Sequence, residues 1–577
     1  MKKLFLVKVL SVMLMVLMLA GMVPAFADEE TNSSQHLIWI DGESVYVDYE
    51  LTEDGFEYYV YDDEVTIVSY TQNAKEVKIP DKIEGCAVTA LNYNAFYNRS
   101  LESVTIPASV TCIDSGVFYS CVYLKEIVVD RNNEVYDSRE NCNAIIETDT
   151  QKLIVGCNNT VIPNSVRIIG TKAFYYAGIK DIVIPAGVTE IEYDAFYHCD
   201  NIETIKVDKN NTVYDSRENC NAIIETKSRT LVLGCDNTVI PSLVCAIGDS
   251  AFYGCTFENV HIPRGVTSIG DYAFANCHGF TSITIPDNVE SIGNNAFSFC
   301  DITSVYLNEG LESIGMEAFE YTDITSINIP GSVESIDYGL FNSCDKLTEI
   351  TVDSANEVYD SRENCNAIIE TDTDTLVAGC VNTVIPAGIK EIGQYAFFGV
   401  DGLTSIELPG GLKSIGYNAF GFCYDLKSIS IPRSLTEIGD SFWDCDALLD
   451  VYYEGTQEEW EDIEGLEYIP EAAKIYYEID LTIPTPEDYD DEDEFDEDDY
   501  DDDDTSSRKS KRKNKDDGGN IWVIVGCVGG GVLVLILIAV MLNKKKKTSV
   551  PQQVAQQEVP QQPVNVQQPA PQNNDNA

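Results

Sequence analysis

The chain has 577 residues, more than one ordinary domain, and its hydrophobic fraction of 44% is sufficient for a folded core. It carries 96 acidic and 37 basic residues, which gives a formal net charge of −59. A surface of this sign repels the phosphates of nucleic acid and of anionic lipid, so the composition argues against nucleic acid as a partner.

The N-terminus has the pattern of a secretory signal peptide. Three lysines among the first eight residues precede an apolar run, and a small-x-small motif ends at Ala27. We therefore predict that residues 1–27 are removed and that the mature chain is exported. Residues 28–75 are predicted to form a strand-rich N-terminal cap.

Residues 76–450 repeat the pattern Leu-x-x-Ile-x-Ile-Pro, then Val-x-x-Ile-Gly, then Ala-Phe-x-x-Cys. The gaps between its prolines are 22, 23, 27, 44 or 56 residues, and the gap of 44 contains a degenerate copy with Asn308 in the proline position. One such repeat cannot bury its apolar residues alone, so we predict a mainly β solenoid of about fifteen coils. Its Leu and Ile columns stack into a parallel sheet, and Ala-Phe-x-x-Cys forms short helical turns with Phe in the core.

These motifs resemble the BspA-like (Treponema-type) leucine-rich repeats of bacterial surface proteins. The segments Ile79–Gly85 and Val451–Trp460 are similar to the first coil and the terminal cap of that family, and residues 451–486 are predicted to form the C-terminal cap. The resemblance implies a curved leucine-rich repeat array that serves as an adhesin, as some members bind host matrix proteins or other cells. It brings no catalytic residues with it.

Three inserts of 34 residues interrupt the repeat, and each begins with the same fourteen residues: Val135–Thr148, Val213–Thr226 and Val358–Thr371. A polar turn follows, then Leu-(Ile/Val)-x-Gly-Cys, so each insert is predicted to be a hairpin. The hairpins would allow three disulfides. They are Cys142–Cys157, Cys220–Cys235 and Cys365–Cys380. The alternative is a buried thiol, because the second cysteine of each pair occupies the Leu position of the repeat.

The remaining cysteines and the histidines do not indicate a cofactor. Eight cysteines share one repeat position, where other coils carry Ala, Thr or Val, which is typical of a small buried side chain. The four histidines are scattered, and no Cys-x-x-Cys pair is present. Asp137, Arg139 and Glu140 fit a calcium or ion-pair motif, but a polar hairpin loop explains them without a metal. We therefore predict no catalytic residue, no metal and no cofactor.

The ligand of a solenoid usually binds on its exposed sheet face. The position two residues before each proline varies in size, charge and aromaticity, as a recognition surface would, although neutral drift is the competing explanation. The candidate ligand-binding residues at this position are His261, Thr284, Tyr306, Asn328, Glu407 and Ser430. A row of tyrosines from Tyr97 to Tyr253 follows the core Phe in five coils. It could stack sugars, but ring-on-ring packing between coils is the favoured explanation.

The C-terminal part is predicted to attach the chain to a membrane. Residues 487–519 form an acidic and then basic disordered linker, and Ile521–Leu542 is an uncharged apolar run long enough, at ~33 Å as a helix, to span a bilayer core of ~30 Å. Four lysines follow it, but a second basic cluster, residues 508–515, precedes it, so the signal peptide decides the orientation and indicates an extracellular N-terminus. Gly526 and Gly530 have the spacing of a weak helix–helix dimer contact. Residues 543–577 are predicted to be a disordered Gln/Pro-rich cytoplasmic tail.

Three functional hypotheses follow. The leading one is a bacterial, membrane-anchored surface adhesin that binds an extracellular protein or glycan. The second is a receptor that signals through its transmembrane helix and short tail. The third, an extracellular hydrolase, finds little support, because no catalytic motif is present and the predicted ectodomain has only about fifty N-terminal residues and a short cap outside the repeats.

Overall fold

A computed structural model describes residues 35–40, 43–97 and 100–481. The strands that precede the repeats are Gln35–Ile40, Glu43–Asp48, Glu50–Leu51, Phe56–Tyr61, Glu64–Tyr70, Lys82–Ile83 and Cys86–Leu91. Glu64–Tyr70 pairs in parallel with Cys86–Leu91, so this N-terminal sheet leads directly into the solenoid. The predicted signal peptide, linker, membrane span and tail, with Gly526 and Gly530, lie outside the described residues. Within those described ranges, no helix has the length and apolarity that crossing a bilayer requires.

The first face of the solenoid, here the front face, is built from the Leu-x-x-Ile-x-Ile segments. Its strands are Glu76–Lys78, Ser103–Ile106, Glu126–Val129, Asp181–Ile184, Thr204–Val207, Ser282–Thr284, Ser304–Tyr306, Ser326–Ile329, Glu349–Val352, Ser405–Glu407, Ser428–Ile431, Asp450–Tyr453 and Lys474–Tyr476. Neighbouring strands pair in parallel and in register, as predicted, for example Ser326–Ile329 with Glu349–Val352. In Ser326–Ile329 the two isoleucines are buried, whereas Ser326 and Asn328 are exposed, which is the alternation of a half-buried strand.

The second face, here the side face, consists of short strands that end at the Ile of Val-x-x-Ile-Gly. They are Cys112–Ile113, Ile168–Ile169, Glu190–Ile191, Ala246–Ile247, Ser268–Ile269, Ser291–Ile292, Ser313–Ile314, Ser335–Ile336, Glu391–Ile392, Ser414–Ile415 and Glu437–Ile438. They also pair in parallel, as Ser291–Ile292 does with Ser313–Ile314. Two parallel ladders per turn therefore enclose the core.

The third face, here the turn face, carries Ala-Phe-x-x-Cys and is not helical, so the prediction of short helical turns was wrong. The residue before Ala and the residue before Cys both have positive φ, as in Tyr272 (54°) and Asn276 (57°), and such residues interrupt a right-handed helix. The phenylalanines do form the predicted core column: Phe274 and Phe297 stack at 5.3 Å between ring centroids, and both are fully buried. The chain is a mainly β solenoid of about 18 turns with little helix.

The inserts form hairpins and belong to the turns of the solenoid. Their strands are Tyr136–Asp137, Ala144–Glu147 and Lys152–Gly156; Tyr214–Asp215, Ile223–Glu225 and Thr230–Leu233; and Tyr359–Asp360, Ile368–Glu370 and Thr375–Ala378. Single 3₁₀ turns lie at Arg139–Asn141, Arg217–Asn219 and Arg362–Asn364. The last strand of each hairpin pairs in parallel with the side face, as Lys152–Gly156 does with Ile168–Ile169. Each 34-residue insert is thus wound into the array.

An asparagine fastens each insert to the turn before it. The Asn211 side chain donates to the carbonyl oxygens of Pro185 (2.8 Å) and Val188 (2.9 Å). Its Oδ1 accepts the N–H groups of Val213 (2.9 Å) and Tyr214 (2.8 Å). Asn133 and Asn356 make the same four bonds in the other inserts.

The C-terminal end is closed by helix α1 (Gln457–Trp460), a 3₁₀ turn at Leu466–Tyr468 and the strand Lys474–Tyr476. Thr456 caps α1 with a reciprocal bond to Glu459, and Trp460 is buried against Tyr453 with ring centroids 5.0 Å apart. This packing covers the last turn of the core.

The buried apolar residues divide into four clusters whose boundaries coincide with the inserts. The clusters extend from Phe56 to Cys157, from Cys142 to Cys235, from Cys220 to Cys380, and from Cys365 to Ile463. Within the first insert, Ile145 belongs to the first cluster, whereas its neighbours Ala144 and Ile146 belong to the second. Each hairpin therefore forms a wall that both adjoining clusters share.

Candidate functional site on the front face

The structure places the predicted binding residues on the front face, at alternate strand positions whose neighbours enter the core. Thr284 and Tyr306 are opposite each other in a two-stranded parallel sheet. The next strand carries Asn328, which is in register with Thr351 and accepts a 2.9 Å hydrogen bond from its hydroxyl. His261 lies in the turn before Thr284, in an extended segment without a ladder partner, and is exposed. These residues occupy successive turns.

Tyr306 is the largest exposed side chain of this row, with 59% of its surface accessible. Its backbone is held in place, because its carbonyl oxygen accepts the N–H of Ile285 at 2.9 Å and Val305 beside it is buried. A rigid aromatic ring with a polar tip, standing on a fixed strand, is a favourable anchor for a protein or glycan partner.

Glu407 and Ser430 do not join the other four. The third insert separates Glu407 from Asn328, and the two residues pair with each other near the C-terminal cap. Glu407 is exposed, but Ser430 is buried, with only 5% of its surface accessible, so the expectation that Ser430 presents its side chain was wrong. Its small side chain lies in register between those of Glu407 and Tyr452, and the Tyr452 ring stacks on Tyr476.

The row also contains residues beyond those predicted from the position two residues before each proline. They include Val128, Lys206 and Thr351, which are in register with Thr105, Val183 and Asn328. A count from the prolines does not find them, because aspartate replaces proline after their strands. Val161, Val239 and Val384 do precede a proline by two residues, each in the turn that follows an insert. They are 72%, 74% and 74% exposed, and Val384 lies beyond Asn328 toward the C-terminal end. The same spacing rule, applied to every turn, would have found them.

With these members included, the row changes in character along the array. Exposed valines dominate its N-terminal half, where Val128, Val161, Val183 and Val239 are interrupted by Lys206. His261, Thr284, Tyr306 and Asn328 then give it polar and aromatic character. The backbone at the valines is fixed, since the N–H of Val161 donates to the Cys142 carbonyl at 3.0 Å. Isolated exposed valines are common, but several aligned in one column form an apolar stripe.

The tyrosine row on the turn face packs ring against ring. Tyr97 stacks on Tyr119 at 5.0 Å, and Tyr197 contacts Tyr253 at 4.3 Å between centroids. Burial is the main cause that raises the pKa of Tyr197 far above its usual range. The row is therefore an extension of the core, although Tyr97 keeps 43% of its surface exposed.

The six insert cysteines are free thiols, and the three disulfides do not form. Cys142 belongs to the second core cluster and Cys157 to the first, so the two side chains pack on different sides of the hairpin wall. The Cys157 thiol donates to the carbonyl oxygen of Asn143 at 3.2 Å instead. Burial raises the pKa of both thiols to about 11.

The cysteines of the Ala-Phe-x-x-Cys motif have a role beyond filling space. The Cys277 thiol donates to the carbonyl oxygen of Phe252 in the preceding turn at 3.0 Å, and Cys300 bonds Phe274 in the same way at 3.0 Å. These weak S–H···O bonds connect successive turns, which a methyl group in the same position cannot do.

The polar segment of the inserts is an ion pair. Arg217 donates two hydrogen bonds to the carboxylate of Asp215, one from Nε at 2.9 Å and one from Nη2 at 2.7 Å. Arg139 pairs with Asp137, and Arg362 with Asp360, in the same way. In the described part of the chain, no group of three or more His, Cys, Asp or Glu side chains is arranged to hold a metal ion.

Comparison with known proteins places these features in a family. The BspA type Leucine rich repeat region matches in six copies, over residues 67–148, 146–227, 245–367 and 378–463. A comparison with curated proteins gives no match.

Among solved structures, the chain is similar to a leucine rich cell surface protein from Faecalibacterium prausnitzii A2-165, with 21% identity, a TM-score of 0.27, and coverage of 72% of this chain and 97% of that one. It is also similar to a leucine-rich repeat protein from Bacteroides ovatus ATCC 8483, with 22% identity, a TM-score of 0.29, and coverage of 75% and 98%. The pneumococcal vaccine antigen PcpA has 17% identity, a TM-score of 0.32, and coverage of 74% and 93%. On the match to its repeats, the chain belongs to the BspA type leucine-rich repeat family of bacterial surface proteins.

Proposed function

We propose that the chain is a membrane-anchored bacterial adhesin that captures an extracellular protein or glycan on its front face. The row of exposed side chains on the front face supports this function best. Tyr306 is its largest polar member, and strand pairing holds its backbone in place. Such a row offers a partner one side chain per turn, ~4.8 Å apart, on a scaffold that needs no rearrangement to bind.

This surface offers a partner two kinds of contact. The valine stripe favours apolar contact, whereas His261, Thr284, Tyr306 and Asn328 supply hydrogen-bonding groups and one aromatic platform. A glycan would use mainly the second part, through stacking on Tyr306 and hydrogen bonds beside it. A protein would cover both parts, since a stable protein interface buries roughly 800 Å² on each partner.

The proposed attachment uses the predicted signal peptide and the apolar run Ile521–Leu542. A chain truncated before Asn520 should then be released into the medium, whereas the full chain stays with the membrane fraction. Retention of the truncated chain on the membrane would contradict this anchoring.

Capture can be measured with cells that display the full chain, probed with a protein and glycan array. The salt concentration should be at least ~0.15 M, because an acidic surface collects basic proteins non-specifically at low ionic strength. A triple change of Tyr306, His261 and Asn328 to alanine should weaken capture without changing thermal stability, since none of these side chains enters the core. A paired change of Val161 and Val239 to serine tests the apolar stripe separately.

Tyr253→Ala is the matched control, because this tyrosine lies on the turn face. Its ring contacts Tyr197 and His198, so its loss should lower stability and leave capture of the folded protein unchanged. Capture that survives both front-face variants would place the binding site elsewhere.

A further inference from the structure

The turn face changes from aromatic to polar over three successive turns. In five earlier turns, from Tyr97 to Tyr253, the residue after the core Phe is a tyrosine. Ala275 follows Phe274, and the next three turns carry Ser298, Glu320 and Asn342. The left-handed position before Ala carries Asn295 and Glu317 in the first two of these turns. We name Asn295, Glu317, Glu320 and Asn342 the turn-face polar cluster.

Hydrogen bonds join the cluster across the three turns. The Asn295 Nδ2 lies 3.2 Å from Glu317 Oε2 and 3.4 Å from Glu320 Oε2. From the other side, Asn342 Nδ2 lies 3.5 Å from Glu317 Oε1. The two glutamates are thus held between two amides, with Glu317 in contact with both.

The cluster is buried without a compensating charge. Asn295 and Asn342 are only 4% and 2% exposed, and both glutamates are partly buried. No lysine, arginine or histidine of the described residues forms an ion pair with Glu317 or Glu320. Elsewhere in the chain, the partly buried Glu192 has Lys152 at 2.7 Å. Two adjacent carboxylates away from water are stabilised either by a shared proton or by a positive partner.

Both asparagines also have an unused oxygen. The Oδ1 atoms of Asn295 and Asn342 are buried and accept no hydrogen bond. A half rotation of either amide brings its oxygen to the place of its nitrogen, within 3.2 to 3.5 Å of a carboxylate oxygen. Oxygens that surround Ca²⁺ at 2.3–2.6 Å lie roughly 3 Å from one another, so this spacing suits a shared ion.

We propose that the turn-face polar cluster binds a divalent cation, with Ca²⁺ preferred. Glu317 and Glu320 would supply carboxylate oxygens, and Asn295 and Asn342 would supply amide oxygens. Hard oxygen ligands of mixed charge, with water completing the shell, favour Ca²⁺ over Mg²⁺, which demands tighter octahedral geometry. The ion would join three successive turns of the solenoid.

The test uses Tb³⁺, a luminescent substitute for Ca²⁺, on the full chain. Tyr338 is close enough to transfer excitation energy, since its carbonyl oxygen accepts the N–H of Glu317 at 3.3 Å. Excitation of tyrosine should give Tb³⁺ emission that Ca²⁺ displaces and Mg²⁺ displaces poorly. A double change, Glu317→Gln with Glu320→Gln, should abolish this saturable component. Glu192→Gln, which removes a carboxylate already paired with lysine, should leave it intact.

Thermal unfolding gives a second readout and shows that the variant folds. In EDTA, the double glutamine variant should be at least as stable as the parent, because it lacks the two adjacent carboxyl groups that burial disfavours in their charged form. Ca²⁺ should raise the melting temperature of the parent and of the Glu192→Gln variant, but not that of the double variant. Equal emission and equal Ca²⁺ stabilisation in the double variant would assign the ion to the acidic tract after residue 486 and overturn the proposal. Absence of both effects in the parent would overturn it as well.

Discussion

The phenolic oxygen of Tyr214 lies 2.9 Å from the main-chain nitrogen of Ile191 and accepts its N–H. Glu190–Ile191 is the last strand of one side-face ladder, and Tyr214–Asp215 is the first strand of the next. The hydroxyl therefore takes the place of a backbone carbonyl where the ladder is interrupted. Tyr359 does the same for Ile336, also at 2.9 Å.

Tyr214→Phe should destabilise the protein although it keeps the ring. It leaves the N–H of Ile191 without an acceptor in a partly buried position, and an unmade hydrogen bond of this kind costs about 1–3 kcal/mol. Chemical denaturation followed by circular dichroism measures the change. Tyr306→Phe, on the exposed front face, serves as the control and should be neutral.

Asn211→Ala should cost more, about 3 kcal/mol, because it removes four hydrogen bonds between the second insert and the turn before it. The adjacent Asn210→Ala is a stringent control. Asn210 is exposed and bonds only Asp208, so its loss should be within about 0.5 kcal/mol of neutral. Equal effects of the two variants would show that the insert is not fastened by this side chain.

Gly234→Ala should destabilise the second insert through overpacking. A Cβ on Gly234 would lie 2.1 Å from Cε1 of Phe252, a ring that is itself stacked on Phe274 and cannot withdraw. A cost of about 2–3 kcal/mol is expected, and Phe252→Leu in the same chain should recover part of it. Gly410→Ala, where a Cβ meets no atom within 4 Å, is the matched control.

The thiols give a prediction that depends on pH. Because burial raises the pKa of Cys142 and Cys157 to about 11, only about one thousandth of each is thiolate at pH 8 in the folded protein. Alkylation of the native chain should therefore be slow at these two residues and accelerate as the pH rises toward 10. Exposed Cys112, followed by partly exposed Cys86 and Cys245, should react first.

Mass spectrometry of the denatured, unreduced chain checks the same assignment. Every insert cysteine should then carry the alkyl label. A Cys142–Cys157 disulfide in that sample would contradict the thiol state.

The repeat pattern predicted the columns of the solenoid because each column follows one spacing rule. Phe274 and Phe297 stack as expected, and Thr284 and Tyr306 share a sheet. The number of turns was underestimated, because the 34 extra residues in each 56-residue gap were interpreted as inserts between coils, whereas the structure winds them into the array.

The remaining features depend on contacts between turns, which a single repeat does not encode. The bond from Tyr214 to Ile191 joins residues 23 apart, and the turn-face polar cluster draws its members from three different turns. Each member, read alone, is an ordinary polar residue of a turn. Ser430 is buried for a similar reason, because the length of its neighbours Glu407 and Tyr452 decides its exposure.

The walls that the insert hairpins form between core clusters have a mechanical consequence. A surface protein fixed at one end and bound at the other carries tension, and repeat arrays yield where neighbouring units are least strongly coupled. The side chains of each hairpin belong to two core clusters. One cluster therefore cannot unfold without exposing buried side chains of the next cluster. We expect the protein to extend under force in a few large steps, each ending at an insert.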